Sequence, residues 1–177
     1  SDYLFNPSVE EMYPNGFNSE IRISGITDKF EGIFRPKHFN GVATVVAKLF
    51  IATLPDFAIF GQKDYQQTLV IKQLVKDFNF PVSIVVAPTI REHDGLALSS
   101  RNVYLSALER EKATILSKAL NNVKEAIQKG IRGKVDIDTI LKDTLSSLPE
   151  IQIDYASSAL ADTLAEPEYY ESGQEIV

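Results

Sequence analysis

The chain has 177 residues, a formal net charge of −6, no cysteine, and 44% hydrophobic residues. That length and apolar content allow a packed core and argue against global disorder. The acidic balance argues against general affinity for nucleic acid or anionic membrane, which needs a surplus of Lys and Arg, and the lack of cysteine excludes disulfides, thiolate metal sites and a Cys nucleophile.

Tyr3-Leu4-Phe5, followed by Asn6-Pro7, reads as the tail of a buried strand and then a turn. Residues 19–24 alternate as a half-buried strand does. Gly25 to Phe34 is turn-rich. From Asn40 to Leu54 the apolar residues Val42, Val45, Val46, Leu49 and Phe50 fall at helical spacing, with Asn40 as the expected N-cap and Pro55 as the stop. Phe57 to Gly61 is a short apolar run suited to a buried parallel strand. Asp64 to Phe78 returns to helical periodicity through Gln67, Val70, Ile71, Leu74, Val75 and Phe78. Pro81 marks a turn, and Ser83 to Ala87 is another buried strand. Helix, strand, helix, strand in succession predicts βαβ units in a parallel sheet.

Residues 89–105 read as a polar loop. Composition then shifts. Ala107 to Lys129 predicts one long amphipathic helix ended by Gly130, and Ile137 to Leu148 a second, with Asp136 or Asp138 near its start. Residues 151–155 alternate as a strand. The expected domains are 1–102 and 103–177. No apolar run approaches the length of a membrane span, and no signal-peptide pattern opens the chain. His38 and His93 lie too far apart in sequence to form a His-x-x-x-His metal motif.

Two segments carry candidate chemistry. The first, Phe60-Gly61-Gln62-Lys63-Asp64-Tyr65-Gln66-Gln67, lies where a strand passes into a helix, the edge at which open α/β sheets bind ligands. Gly61 permits close backbone approach. Lys63 precedes the helix, whose amino end already favours an anion, and so is placed to hold a phosphate. Asp64 can accept from ribose hydroxyls, and Gln67 can bind a second small polar substrate. The plain alternative makes Asp64 an N-cap, Lys63 a solvated side chain and both glutamines water-facing. The second segment is Arg91-Glu92-His93-Asp94-Gly95-Leu96-Ala97-Leu98-Ser99-Ser100-Arg101-Asn102. Its adjacent hydroxyls and its Arg offer several donors to phosphate oxygens, and the alternative is a solvated loop with Ser as turn former. His93 and Asp94 read as loop and turn residues. His38 sits in the positive cluster Arg35-Pro36-Lys37-His38.

Together these strings resemble the pantothenate synthetase (pantoate–β-alanine ligase) family across nearly the whole chain. The matching stretches run from Pro7 to Pro14, Arg35 to Val42, Phe60 to Gln67 and Asp94 to Leu105. The resemblance implies an α/β fold: the latter half of a Rossmann-like nucleotidyltransferase parallel sheet, then a small α+β C-terminal lid domain. It implies an ATP-dependent ligase that condenses pantoate with β-alanine through pantoyl adenylate, releasing AMP and pyrophosphate. Lys63, Ser99, Ser100 and Arg101 would meet the ATP phosphates and carry the catalysis. Gly61 and Asp64 would meet the ribose, Ile90 and Leu98 would flank the adenine, and Gln67 would meet pantoate. Magnesium would accompany ATP. A cytoplasmic homodimer with neither nucleic-acid nor membrane partner is expected.

The family's His-x-Gly-His motif does not occur in this sequence, which also starts without Met. The chain therefore reads as an internal piece, lacking a last strand as well, with little or no ligase activity alone. Two alternatives stand beside that reading. One is another nucleotidyltransferase, such as a cytidylyltransferase. The other is a non-catalytic assembly or binding module.

Overall fold

The computed structural model of the protein describes residues 2–177. The chain separates into two compact units, Ser1–Ala87 and Pro88–Val177. The division falls before the compositional shift near Asn102, because residues 90–98 are tied by hydrogen bonds and ion pairs to one another and to Arg110.

In the first unit, short helices α1 (Val9–Met12) and α2 (Glu31–Phe34) precede α3 (His38–Thr53). Strand β1 (Phe57–Gly61), helix α4 (Tyr65–Phe78) and strand β2 (Ser83–Ala87) then form one βαβ unit. β1 and β2 pair in parallel, with Ile59 opposite Val85. Side chains alternate across the pleat. Ala58, Phe60 and Ile84 pack on a core built from Phe39, Ala43, Val46, Ala47 and Phe50 of α3 and Val70, Ile71 and Leu74 of α4. Phe50 meets Phe60 and Phe80 edge to face. Phe57, Ile59 and Val85, on the opposite face, are exposed.

Three local expectations need correction. α3 starts two residues before Asn40, and its N-cap is Lys37 in the left-handed region at φ 70°. Residues 19–24 form no strand: Ile23 is buried and Ile21 N–H donates to Thr44 Oγ1, but no ladder partner exists among the described residues. Tyr3 to Phe5 is likewise unpaired, and exposed.

The second unit contains α5 (Ala107–Lys112), α6 (Ile115–Gln128) and α7 (Lys134–Ser146). The single helix expected from 107 to 129 is broken at Ala113-Thr114. There Thr114 Oγ1 donates to the carbonyl of Glu111 and the backbone tightens to i→i+3 bonding, the competition Thr offers inside helices. α7 begins at Lys134 after Gly133, three residues earlier than expected, and Asp136 lies in its first turn. Ile115 and Ala119 of α6, Leu145 of α7 and Ala156 form the core, with Ile151 and Ile153 packed against it. The stretch 151–155 half-buries Ile151 and Ile153, leaves Tyr155 exposed and does not pair as a strand. Isolated antiparallel bridges join Gly133 to Tyr169 and Leu160 to Ile176. No helix among the described residues is long and apolar enough to cross a membrane.

Beneath α7 lies a charged network. Lys134 Nζ contacts Asp138 Oδ2, and lies 3.1 Å from Glu166 Oε1 and 2.6 Å from Ser157 Oγ. Asp138 Oδ1 accepts from the Ser158 N–H and hydroxyl, each at 2.7 Å. Tyr170, fully buried, donates to Ser158 Oγ. Burial opposes each charge, yet the hydrogen bonds and ion pairs outweigh it. They hold the Asp138 and Glu166 carboxyls below their ordinary range and Lys134 above its own.

Candidate functional site

β1 ends at Gly61 and passes through a 3-10 turn, Gln62–Asp64, into α4. Gly61 has an ordinary extended backbone, and a Cβ there would meet no protein atom within 4 Å. The protein leaves this side of the turn open.

Lys63 Nζ lies 3.2 Å from Asp64 Oδ1, with side chains 38% and 59% exposed. Asp64 occupies the N-cap position of α4, but its side chain makes no capping bond. The plain reading of Asp64 as a cap therefore fails. An exposed pair of this kind is worth about 0–1 kcal/mol, so a polyanion can readily take over Lys63.

The two glutamines of the motif have different fates. Gln66 Nε2 donates to the carbonyls of Ile26 at 2.7 Å and Lys29 at 2.9 Å, and its Oε1 accepts from the Glu31 N–H at 3.3 Å. It staples the 26–31 turn onto α4 and does not face water. No sequence signal pointed to this role, because the partners lie 35 to 40 residues earlier. Gln67 is half-buried and makes no side-chain hydrogen bond among the described residues. In the first unit, Gly61, Lys63, Asp64 and Gln67 thus lie together on one strand-turn-helix junction.

In the second unit, residues 90–98 fold back on themselves. Leu98 N–H donates to the Ile90 carbonyl at 2.9 Å and Glu92 N–H to the Leu96 carbonyl at 2.8 Å. Arg91 bridges to Ala97, and its guanidinium donates to the Gly95 carbonyl. Gly95 turns at φ +93°, where an added Cβ would overlap Ser117 Oγ. The backbone conformation and the close neighbour both demand glycine. Ile90 and Leu98 sit side by side and are 63% and 53% exposed.

Ser99 caps the 3-10 turn Ser100–Tyr104, its Oγ accepting from the Arg101 N–H at 3.2 Å. Its hydroxyl hydrogen remains a donor. Ser100 and Arg101 are exposed, and their side chains make no hydrogen bond or ion pair among the described residues. Asn102 Nδ2 donates to the Ala97 carbonyl at 3.0 Å and closes the segment. Arg110 of α5 forks across Glu92 at 2.7 Å and Asp94 at 2.8 Å. The Arg110 hydrogen bond, aided by the Leu96 N–H, holds the Asp94 carboxyl below its ordinary range, and the two carboxylates raise Arg110 further.

Each junction presents donors and positive charge to an anion. Among the described residues no group of three His, Asp or Glu is placed to hold a metal ion.

A family model described as Pantoate-beta-alanine ligase matches residues 1–177. The pantothenate synthetase of Thermoanaerobacter sp. (strain X514) is 49% identical over 168 residues, covering 95% of this chain and 59% of the relative. A solved pantothenate synthetase from Thermus thermophilus superposes with a TM-score of 0.91 at 45% identity, covering 95% of this chain and 61% of that one. A pantoate-beta-alanine ligase from Francisella tularensis, solved in complex with "Beta-gamma ATP and Beta-alanine", gives 0.64 at 38% identity over 79% of this chain and 52% of its own. The chain thus spans about three fifths of the curated relatives it matches.

Proposed function

Because the chain belongs to the pantoate–beta-alanine ligase family, we propose that it supplies nucleotide- and pantoate-binding residues to an ATP-dependent ligase making pantothenate. In the first step a pantoate carboxylate oxygen attacks the α-phosphorus of ATP. The bond to the bridging oxygen breaks, and pyrophosphate leaves with its electron pair. In the second step the neutral amine of β-alanine attacks the acyl carbon of pantoyl adenylate. The acyl–oxygen bond breaks, AMP departs, and the amine's proton passes to solvent.

The first step brings an anion up to a polyanion. Two like unit charges 4 Å apart repel by about 4 kcal/mol at an effective dielectric of 20. Lys63 and Arg101 are the cations proposed to offset that repulsion, most strongly as charge moves onto pyrophosphate. Ser99 and Ser100 add hydroxyl donors to phosphate oxygens. Gly61 admits the ribose, Asp64 accepts from its hydroxyls, Ile90 and Leu98 flank the adenine, and Gln67 holds pantoate. No general base is required in the first step, since a carboxylate is already a nucleophile, and positioning supplies most of the rate. Magnesium would accompany ATP and neutralise part of the phosphate charge. A cytoplasmic setting suits a reaction that consumes ATP.

The observation that carries this reading is a division of labour within each junction. Gln66 and Asn102 are spent on backbone groups. Their neighbours Gln67, Ser100 and Arg101 keep their polar ends unspent among the described residues. The test is a chimera in which residues 1–177 replace the matching stretch of the Thermus thermophilus relative. AMP release that requires both pantoate and β-alanine is expected. A folded chimera that binds no ATP and releases no AMP would overturn the reading in favour of a non-catalytic module.

A further inference from the structure

The segment that carries Ser99, Ser100 and Arg101 has little of its own to hold it. Of residues 90–98 only Leu96 is fully buried. Ile90, Arg91, His93, Asp94 and Leu98 are exposed. A few backbone bonds and the Asn102 amide close the fold-back, but they join the segment only to itself. Hydrophobic burial therefore contributes little to where it points.

Beyond the burial of Leu96 and the close approach of Gly95 to Ser117 of α6, the polar tie to the rest of the unit is Arg110. It lies on α5, beyond the Ser-Ser-Arg triplet in sequence, and reaches back over 18 residues to Glu92. Its two terminal nitrogens each take one carboxylate, Nη2 to Glu92 Oε2 at 2.7 Å and Nη1 to Asp94 Oδ2 at 2.8 Å. Its side chain is 24% exposed and those of its partners 32% and 31%, so the three shield one another partly from water. A planar guanidinium fixes direction as well as distance, which a lysine ammonium does not. Asp94 Oδ1 also accepts from the Leu96 N–H at 3.2 Å, which ties the latched carboxylate to the turn itself. The triplet is thus bracketed: the latch holds the segment before it, and α5 begins just after it.

We propose that Arg110 is a positioning residue, fixing through Glu92 and Asp94 the place from which Ser99, Ser100 and Arg101 meet phosphate, without itself touching the ligand. This rests on the reading of that triplet as a phosphate-binding group.

The test uses the chimera with the Thermus thermophilus relative, with ATP affinity measured by isothermal titration and amide exchange by mass spectrometry. Arg110→Gln removes the latch from one side, and the pair Glu92→Gln with Asp94→Asn removes it from the other. Each is expected to weaken ATP binding about tenfold and to speed exchange across residues 92–101, with α7 unchanged. The triple variant should lose no more than either, the non-additivity of groups that act as one unit. Arg110→Lys should recover part of the loss. Should Arg110→Gln fail to fold, the carboxylate pair gives the same readout. If the unaltered chimera binds ATP and the variants match it in affinity, the proposal falls alone. If affinity drops while exchange at 92–101 is unchanged, Arg110 acts on the ligand directly and the proposal again falls. If the unaltered chimera binds no ATP, the phosphate reading fails and takes the proposal with it.

Discussion

Lys63 is held by a single exposed carboxylate, and a polyanion competes easily for it. A cation that contributes mainly as charge moves onto the leaving group lowers turnover more than ground-state affinity. In the chimera with the Thermus thermophilus relative, Lys63→Ala is therefore expected to slow pantoyl adenylate formation by about 2–4 kcal/mol in activation energy, the scale of losing a preorganised donor. ATP affinity should change much less. Rapid-quench measurement of the adenylate checks this, and an unchanged rate removes Lys63 from the mechanism. Lys134 sets a different residue-scale expectation. Its carboxylate partners Asp138 and Glu166 are held below their ordinary range, so their stabilisation is present above about pH 4–5 and is lost as pH falls through the lowered values. Lys134 is raised, so its contribution is complete below its ordinary range and is lost as pH rises through the higher value. Calorimetric unfolding of the second unit should show a plateau from about pH 5 to 10, falling on both sides. In Lys134→Met that plateau should be lower.

At the scale of elements, the 26–31 turn depends on one side chain of α4. Gln66→Glu would place an acid oxygen where the amide now donates to two carbonyls. A loss of about 2 kcal/mol at neutral pH is expected, by the usual cost of unmade partly buried hydrogen bonds. Acidification should recover part of it relative to the unaltered chain, since a protonated carboxyl regains one donor. Denaturant unfolding at two pH values checks both. The positions of β1, α4 and β2 were legible from apolar runs and helical period, but the expectation that both strands are buried holds for one face only, since Phe57, Ile59 and Val85 are exposed. Residues 19–24 and 151–155 show the limit. Their alternation marked the inward side chains in part, Ile23 buried in one and Ile151 and Ile153 half-buried in the other with Tyr155 exposed, but period two records faces and not partners. The break between α5 and α6 was not legible from helical period, since Ala113 and Thr114 both keep helical backbone angles and a lone Thr is common within helices. Of the candidate site, the residues that offer donors were readable from the two motifs. The side chains that hold those motifs in place, Gln66 and Arg110, were not. Their partners are set by tertiary packing across many residues of chain.

For the molecule as a whole, the uncovered face of the β1–β2 sheet is the feature that sets its behaviour in solution. Phe57, Ile59 and Val85 share it at 68%, 71% and 43% exposure. Parallel sheets are ordinarily covered on both faces, and large exposed apolar patches are rare on monomers. The 177-residue chain is expected to associate into dimers or larger species that bury this face. Sedimentation equilibrium across about a hundredfold range of concentration decides it, since association follows mass action. A monomer throughout would show that the face tolerates water. Ile59→Lys, at the centre of the face, should shift the equilibrium towards monomer. Tyr170 has a consequence of another kind. The chain has no tryptophan, and among the described residues Tyr170 is the one fully buried tyrosine of seven. Locked against Ser158, it is held in a fixed asymmetric surrounding, the condition for a near-ultraviolet dichroic band. The tyrosine band of this protein is therefore an optical marker that belongs mainly to residues 88–177. Its disappearance should time the loosening of that unit while the peptide signal still reports helices elsewhere.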